Sequence, residues 1–233
     1  MVLAAFVQRS SGLGFTLVAA PFLLIALGPW DALGIIHLCG ALVSTAIAWR
    51  LRLAIEWRFA RRLTFGAVVG VVPGVWITTA ADQDVLEVIV GAGVLFACAI
   101  LVLLPTVRVG DSFGRQALAG SSCGFLGAVA GAGGPVLALF GTATVRSPEA
   151  LVGTMQVVFA AVGVEVLALR AVFVGSGYPQ LPALTWGILI VSMLIGGFIG
   201  DAFLRRMSRG AARTIMLCSA AGGGGAILIH GLT

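Results

Sequence analysis

Apolar residues follow one another along this chain in long runs, which are interrupted only by short clusters of charge, Gly and Pro. The runs lie near residues 2–29, 31–50, 64–81, 84–106, 116–145, 149–174, 181–203 and 211–231. Each has about 18 residues or more, and a helix needs about 20 apolar residues to cross roughly 30 Å of hydrocarbon. The pattern therefore predicts eight helical segments within a membrane.

Composition supports the same class. Hydrophobic residues make up 60% of the chain, charged residues only 10%, and the mean hydropathy is +1.12. A water-soluble surface cannot be built from such a composition. The first run begins almost at Met1 and has no cleavage site of small residues, so we interpret it as structure rather than as a signal peptide. We expect an all-α, multi-pass protein of the inner (plasma) membrane, with the lipid bilayer as its surroundings.

The segments form a two-fold internal repeat. When the chain is shifted against itself, Gly12-Leu13-Gly14 falls on Gly131-Ala132-Gly133, Pro29 on Pro148, and His37 on Gln156. Matching landmarks in the same order predict two structural repeats. The first is expected at 1–110, with a hairpin at 2–29 and spans at 31–50, 64–81 and 84–106. The second is expected at 111–233, with a hairpin at 116–145 and spans at 149–174, 181–203 and 211–231.

Charge in the loops indicates how the two halves are oriented. The loop at 50–62 is rich in Arg, whereas its counterpart at 175–182 has no charge. The loop after the third segment is acidic, with Asp82, Asp84 and Glu87, whereas its counterpart at 204–213 is basic. Since basic loops face the cytoplasm, the second half must be inverted.

Inversion requires an odd number of crossings in each half. This is achieved if the first segment of each half is a re-entrant hairpin that is followed by three spans. Both termini are then outside, and loops 50–62 and 204–213 are inside. A single broken and tilted span at segments 1 and 5 is the alternative.

Arg and Cys residues exclude several functional classes. All 14 basic residues are Arg, and the net charge is +5. Most of these Arg residues lie between apolar runs, so they indicate topology rather than a nucleic-acid partner. The four Cys residues form no CxxC motif and no pairing with His, so we expect no metal and no cofactor. The formation of a homo-oligomer is compatible with the sequence.

The Gly-rich breaks inside the two hairpins are the predicted substrate site. Non-helical backbone at membrane depth persists only where protein or a water-filled cavity satisfies it. A helix that starts after such a break presents free N–H groups and a partial positive charge, which attract anions. The predicted backbone site consists of Ser11, Gly12, Gly14 and Phe15 in the first break, and of Gly131, Gly133, Gly134 and Pro135 in the second.

Polar side chains near these breaks extend the candidate site. Gln8 and Arg9 precede the first break; Arg9 either holds an oxyanion through its guanidinium or reaches the membrane surface. His37 and Gln156 hold equivalent repeat positions, where they either face the substrate or join two helices. His37 and Glu165 are candidates for proton coupling, because His titrates near neutral pH and Glu165 is the only carboxylate well inside a predicted span.

Other glycines in the apolar runs are expected to pack helices closely, as small residues commonly do in membranes. They are Gly66, Gly70, Gly74, Gly196, Gly197, Gly200 and Gly222 to Gly225.

Two motifs carry a family resemblance. They are Gln8-x-Ser-Ser-Gly-x-Gly-Phe15-x-Leu-x-Ala-Ala-Pro21 and Gly124-Phe125-x-Gly127-x-x-x-Gly131-x-Gly133-Gly134-Pro135. Over nearly its whole length the chain resembles the sulfite exporter TauE/SafE family of bacterial permeases. The resemblance implies export or exchange of a small sulfur oxyanion or sulfonate, such as sulfite or an organosulfonate. We expect a secondary transporter that holds the anion at the two hairpin tips and works by alternating access.

An intramembrane enzyme with inverted repeats and an anion channel are the alternatives. Phosphoryl chemistry would require carboxylates at the hairpins, and no acidic residue lies near either break. We therefore expect no catalytic residue in this chain.

Overall fold

The computed structural model describes residues 1–11, 15–103, 112–138, 147–175, 181–203 and 209–232. These residues form an all-α fold, which confirms the predicted class. The helices are α1 (Val2–Ser11), α2 (Phe15–Leu27), α3 (Pro29–Arg50), α4 (Trp57–Ala80), α5 (Gln83–Leu103), α6 (Phe113–Ala130), α7 (134–138), α8 (Pro148–Val174), α9 (Ala183–Phe203) and α10 (Arg209–Leu232).

Six of the helices in the described ranges are long and apolar enough to cross a membrane. They are α3, α4, α5, α8, α9 and α10, and they correspond to the six predicted spans. Helices α1 and α2 have only 10 and 13 residues. They flank the first predicted break, and α6 and α7 flank the second.

Local sequence explains where α3 and α8 begin. Gly28 has a φ of 78°, and Pro29 follows it at the first helical position, where its missing N–H is not needed. The Ser147 hydroxyl accepts a hydrogen bond from the backbone N–H of Ala150 (3.1 Å), and Pro148 again holds the first helical position. The two prolines that match in the sequence repeat thus start equivalent helices.

Two assignments of charged residues to loops were wrong. Helix α4 begins at Trp57 rather than near residue 64, so Arg58 and Arg61 lie on its first turns. Arg favours helices and tolerates the membrane surface, so charge marks the end of the hydrocarbon region and not the end of the helix. Likewise α5 begins at Gln83, so Glu87 lies on a helix and is buried.

Helices from the first half of the chain pack largely against helices from the second half. The main pairs are α4 with α6, α5 with α10, α3 with α8, α4 with α8, and α1 with α9. One apolar core lies around α1, α2, α3, α5 and α10, and another lies between α4, α6 and α8. The halves therefore interleave. The division into repeats at residue 110 and the inverted relation between them stay predictions.

Candidate functional site

The second break forms a tight turn at the end of α6. Gly131 adopts a left-handed conformation (φ 64°), and its N–H bonds to the carbonyl of Gly127 at 2.8 Å. This bond is the one that defines an αL cap, and the N–H of Ala132 bonds in addition to the carbonyl of Leu126 at 3.1 Å. The chain then turns back beside α6. Only glycine fits at this left-handed position without strain.

Gly133 is also required by close contact. A Cβ at this position would overlap the backbone carbonyl oxygen of Cys123 and would lie 2.8 Å from its Sγ. Since Cys123 is ten residues earlier, the contact shows that the backbone after Gly131 lies alongside α6. The prediction of a break at these glycines is confirmed.

At the first break, Gln8 connects three parts of the molecule. Its Oε1 accepts a hydrogen bond from the backbone N–H of Phe15, at the start of α2 (2.9 Å). Its Nε2 donates to Oε1 of Gln156 on α8, also at 2.9 Å. Both Gln side chains are buried. Gln8 therefore ties the end of α1 to the start of α2 and to the second half of the chain.

The first turn of α2 contacts the second break directly. The hydroxyl of Thr16, in the first turn of α2, donates a hydrogen bond to the carbonyl oxygen of Gly131. A Cβ at Gly131 would approach the Cβ of Thr16 to 3.0 Å. The start of α2 and the second break thus lie together. That the two hairpin tips converge on a substrate stays a prediction.

A cavity lies between the start of α2 and the turn at Gly131. It offers a volume of about 50 Å³ for the centres of water-sized spheres, whereas one buried water needs about 10–15 Å³ on this measure. The cavity is therefore large enough for a small ion. Its polar and backbone lining comes from Gln8, Thr16, His37, Ser44, Gly131, Gly133 and Gly134, and Phe15, Cys123, Phe159 and Gly163 close it further.

His37 gives this cavity an unused hydrogen-bonding group. The side chain is 3% exposed, and its ring interacts with the backbone of Ala128 at the end of α6. Its Nε2 is buried and has no hydrogen-bond partner among the described residues. Leaving such a group unpaired costs about 1–3 kcal/mol, and most buried polar groups are paired. The ring nitrogen is therefore suited to bind a ligand in the cavity.

The predicted site residues divide into three groups. Six of them line the cavity: Gln8, Phe15, His37, Gly131, Gly133 and Gly134. Gln156 joins this group through Gln8, whereas Pro135 is buried in α7 outside the lining. Glu165 is not in the lining either, although its Oε2 is buried without a partner in the described part of the chain. The side chains of Arg9 and Ser11, and residues Gly12 and Gly14, lie outside the described residues. The role of all these residues in substrate binding stays a prediction.

Sequence reasoning missed Thr16, Ser44 and Gly163. Gly163 on α8 lets α3 come close, since a Cβ there would lie 2.8 Å from the carbonyl oxygen of His37 and 2.9 Å from the Cβ of Ala41. The close approach of α8 brings the cavity wall to His37. Gly163 was missed because it belongs to no glycine motif, and a lone glycine does not stand out in a chain with 33 glycines.

Apolar spanning helices, a helix break at membrane depth and a cavity that contains polar groups of both halves are typical of a multi-pass membrane protein of the transporter class. The chain belongs to the sulfite exporter TauE/SafE family, whose model matches residues 1–228. This is a transporter family, and membership implies a permease for sulfur-containing anions in the bacterial plasma membrane. No curated protein and no solved structure matches the chain.

Proposed function

We propose that this protein is a secondary transporter that exports or exchanges sulfite or a small organosulfonate. The observation that carries the proposal is the cavity between the two breaks, into which His37 brings an unpartnered Nε2. Family membership supplies the substrate class. The cavity is enclosed by both halves of the chain, as alternating access around a central site requires.

Positive potential at the cavity would come from backbone as well as side chains. Helix α2 begins at the cavity, so the positive end of its dipole faces the proposed anion. We propose that the amides after Gly14 and Gly134 contribute, together with Arg9. Gln8 already bonds to two protein groups. Its proposed role is therefore to hold the breaks in position while the anion binds beside it.

His37 is the proposed route for proton coupling. If one ring nitrogen donates to the carbonyl of Ala128, Nε2 is the nitrogen that exchanges a proton with the anion. A protonated Nε2 would donate a charge-assisted hydrogen bond to an anionic oxygen. Glu165 is a second candidate on α8, with one buried carboxylate oxygen available.

The binding test uses the two histidines of the chain. We expect sulfite to stabilise the purified wild-type protein in a thermal-shift assay. His37→Gln should weaken sulfite binding about ten- to a hundredfold, the value of a hydrogen bond to a charged group. Isothermal titration with sulfite measures this change.

His230→Gln is the matched control, because His230 is 74% exposed and pairs with Glu87 far from the cavity. Equal sulfite affinity in His37→Gln and His230→Gln would remove His37 from the site. Stabilisation by cations or neutral solutes alone would reject an anion transporter. Flux that never exceeds equilibrium in vesicles would indicate a channel.

The proposed topology has re-entrant hairpins and an inverted second half. Helix α1 has 10 residues, which is roughly 15 Å or about half the hydrocarbon thickness. The backbone after Gly131 turns back beside α6. Both features suit hairpins that enter and leave on one side.

Labelling of single cysteines in a variant without native Cys tests this topology. We expect Arg209→Cys to react only after membranes are permeabilised, and Asp82→Cys to react in intact cells. Reaction of Arg209→Cys with an impermeant reagent in intact cells would rule out the inverted arrangement.

A further inference from the structure

A buried arginine lies on α8, outside the cavity lining. Arg170 is 6% exposed, and its Nη2 donates to the carbonyl oxygen of Trp30 at 2.9 Å. The guanidinium carbon lies 5.5 Å from the centroid of the Trp30 ring. Its Nε and Nη1 are buried and have no hydrogen-bond partner among the described residues. Most of the donors of this cation are therefore unused.

A buried arginine with unpaired donors is energetically unfavourable in a membrane protein. Intramembrane charges cost several kcal/mol unless a partner or a water-filled space compensates them. One carbonyl and one aromatic face satisfy only part of a guanidinium that has five N–H donors. The charge of Asp31 acts on Arg170 through space, but its carboxylate does not bond to Nε or Nη1. A partner for Nε and Nη1 must accept hydrogen bonds, and an anion would compensate the positive charge as well.

The position of Arg170 connects it to the cavity. Helices α3 and α8 run antiparallel, with Thr154 bonded to the backbone of Glu56 beyond one end of α3 and Arg170 bonded to Trp30 at the other. Arg170 lies about two helical turns from Gly163, or roughly 10 Å along α8. We call this line of contact the α3–α8 seam.

We propose that Arg170 forms a second anion site on the α3–α8 seam, between the central cavity and the side of the membrane where α3 begins. The site would take a small oxyanion such as sulfite through Nη1 and Nε, with Trp30 holding the guanidinium in place. The inference rests on the proposed function, because it assumes that the central cavity binds the same anion. In the proposed topology this side is the cell exterior.

Arg52 is a matched control at the opposite end of α3. Its Nη1 donates to the carbonyl oxygen of Trp49 at 3.0 Å, and its guanidinium carbon lies 5.0 Å from the centroid of that ring. The contacts repeat those of Arg170 with Trp30, but Arg52 is exposed. Its remaining donors can therefore bond to water or to lipid headgroups.

The test measures saturable sulfite transport in membrane vesicles of both orientations. Arg170→Gln should raise the KM about ten- to a hundredfold for sulfite that enters from the side where α3 begins. From the other side, the KM should stay near that of the wild type. Arg170→Lys keeps the positive charge and should recover part of the loss. Arg52→Gln should match the wild type from both sides.

Several results would overturn the second site. An unchanged KM in Arg170→Gln rejects it, and so does an equal rise from both sides, which would mean that Arg170 acts on the central site or on the fold. If Arg170→Gln does not insert into the membrane, Asp31→Asn provides the test. Removal of this nearby negative charge should lower the KM for sulfite that enters from the side where α3 begins. An unchanged KM in Asp31→Asn would reject the site. Wild-type vesicles without saturable sulfite transport would reject the proposed function as well.

Discussion

Helices α4 and α9 carry the same Gly-x-x-x-Gly motif but pack in different ways. On α4, a Cβ at Gly66 or Gly70 would overlap a backbone carbonyl oxygen of α6. On α6, a Cβ at Gly120 or Gly124 would overlap a carbonyl oxygen of α4. Glycines of α4 thus contact the backbone of α6, and glycines of α6 contact the backbone of α4.

The α9 contact with α1 is one-sided. A Cβ at Gly196 would overlap the carbonyl oxygen of Val2 and would lie 2.9 Å from the Cβ of Ala5. In the part of the chain that the structure describes, no atom lies within 4 Å of the Cβ position of the next residue, Gly197. Helix α1 has no glycine among its 10 residues. Both helices therefore supply glycines where α4 meets α6, whereas only α9 supplies a glycine where Gly196 meets α1.

This difference shows that close packing at a glycine depends on the helix that it faces. The Gly-x-x-x-Gly motif alone does not determine it. The prediction that Gly197, Gly222 and Gly225 pack closely was wrong, since no atom of the described residues lies within 4 Å of their Cβ positions. Small residues in membrane helices permit a close approach but do not guarantee one. We expect α4 and α6 to move as one rigid unit, and α1 and α9 to be more easily displaced.

Gly70→Ala should have the largest effect. The added methyl meets the backbone carbonyl of Ser121, which cannot move away unless α4 and α6 separate. We expect a loss of at least about 1–3 kcal/mol, the usual cost of overpacking, measured as a lower unfolding midpoint in detergent. Val69→Ala is the control, because this side chain is 56% exposed on the same helix. Equal midpoints for the two variants would contradict the close α4–α6 contact.

Gly196→Ala and Gly197→Ala form a matched pair of adjacent substitutions with smaller effects. Gly196→Ala should lower the unfolding midpoint less than Gly70→Ala does, because short α1 can shift away. Gly197→Ala should leave the midpoint unchanged or raise it slightly, since Ala favours a helix over Gly by up to about 1 kcal/mol. If the two variants unfold at the same temperature, the contact between Gly196 and α1 is not formed in the native protein.

The sequence predicted the helical class and most spans because each span is a long apolar run. The predicted spans at 31–50, 149–174 and 181–203 differ from α3, α8 and α9 by at most two residues at each end. The start of α4 was missed because hydropathy follows the hydrocarbon boundary, whereas the helix continues past it. The glycine break at 131–133 was found because both repeats contain it.

The site was predictable where a residue is unusual for its surroundings. His37 stands out as a polar residue in an apolar run, and it lines the cavity. Thr16 and Ser44 do not stand out, because hydroxyl side chains commonly bond to their own helix. Arg170 is visible as a charge within a predicted span. Its contact with Trp30 spans 140 residues, and such pairs are set by packing between helices.

The interleaving of the two halves has a consequence for the order of synthesis. Val2 on α1 contacts Gly196 on α9, and Gln8 bonds to Gln156 on α8. A ribosome adds roughly 5–20 residues per second, so α1 waits on the order of 10–40 s for α9. During this delay, lipid or the insertion machinery must cover the surface of α1 that α9 later buries, and Gln8 lacks its bond to Gln156 until α8 is made. The helix that is made first can reach its final position only when the chain is almost finished.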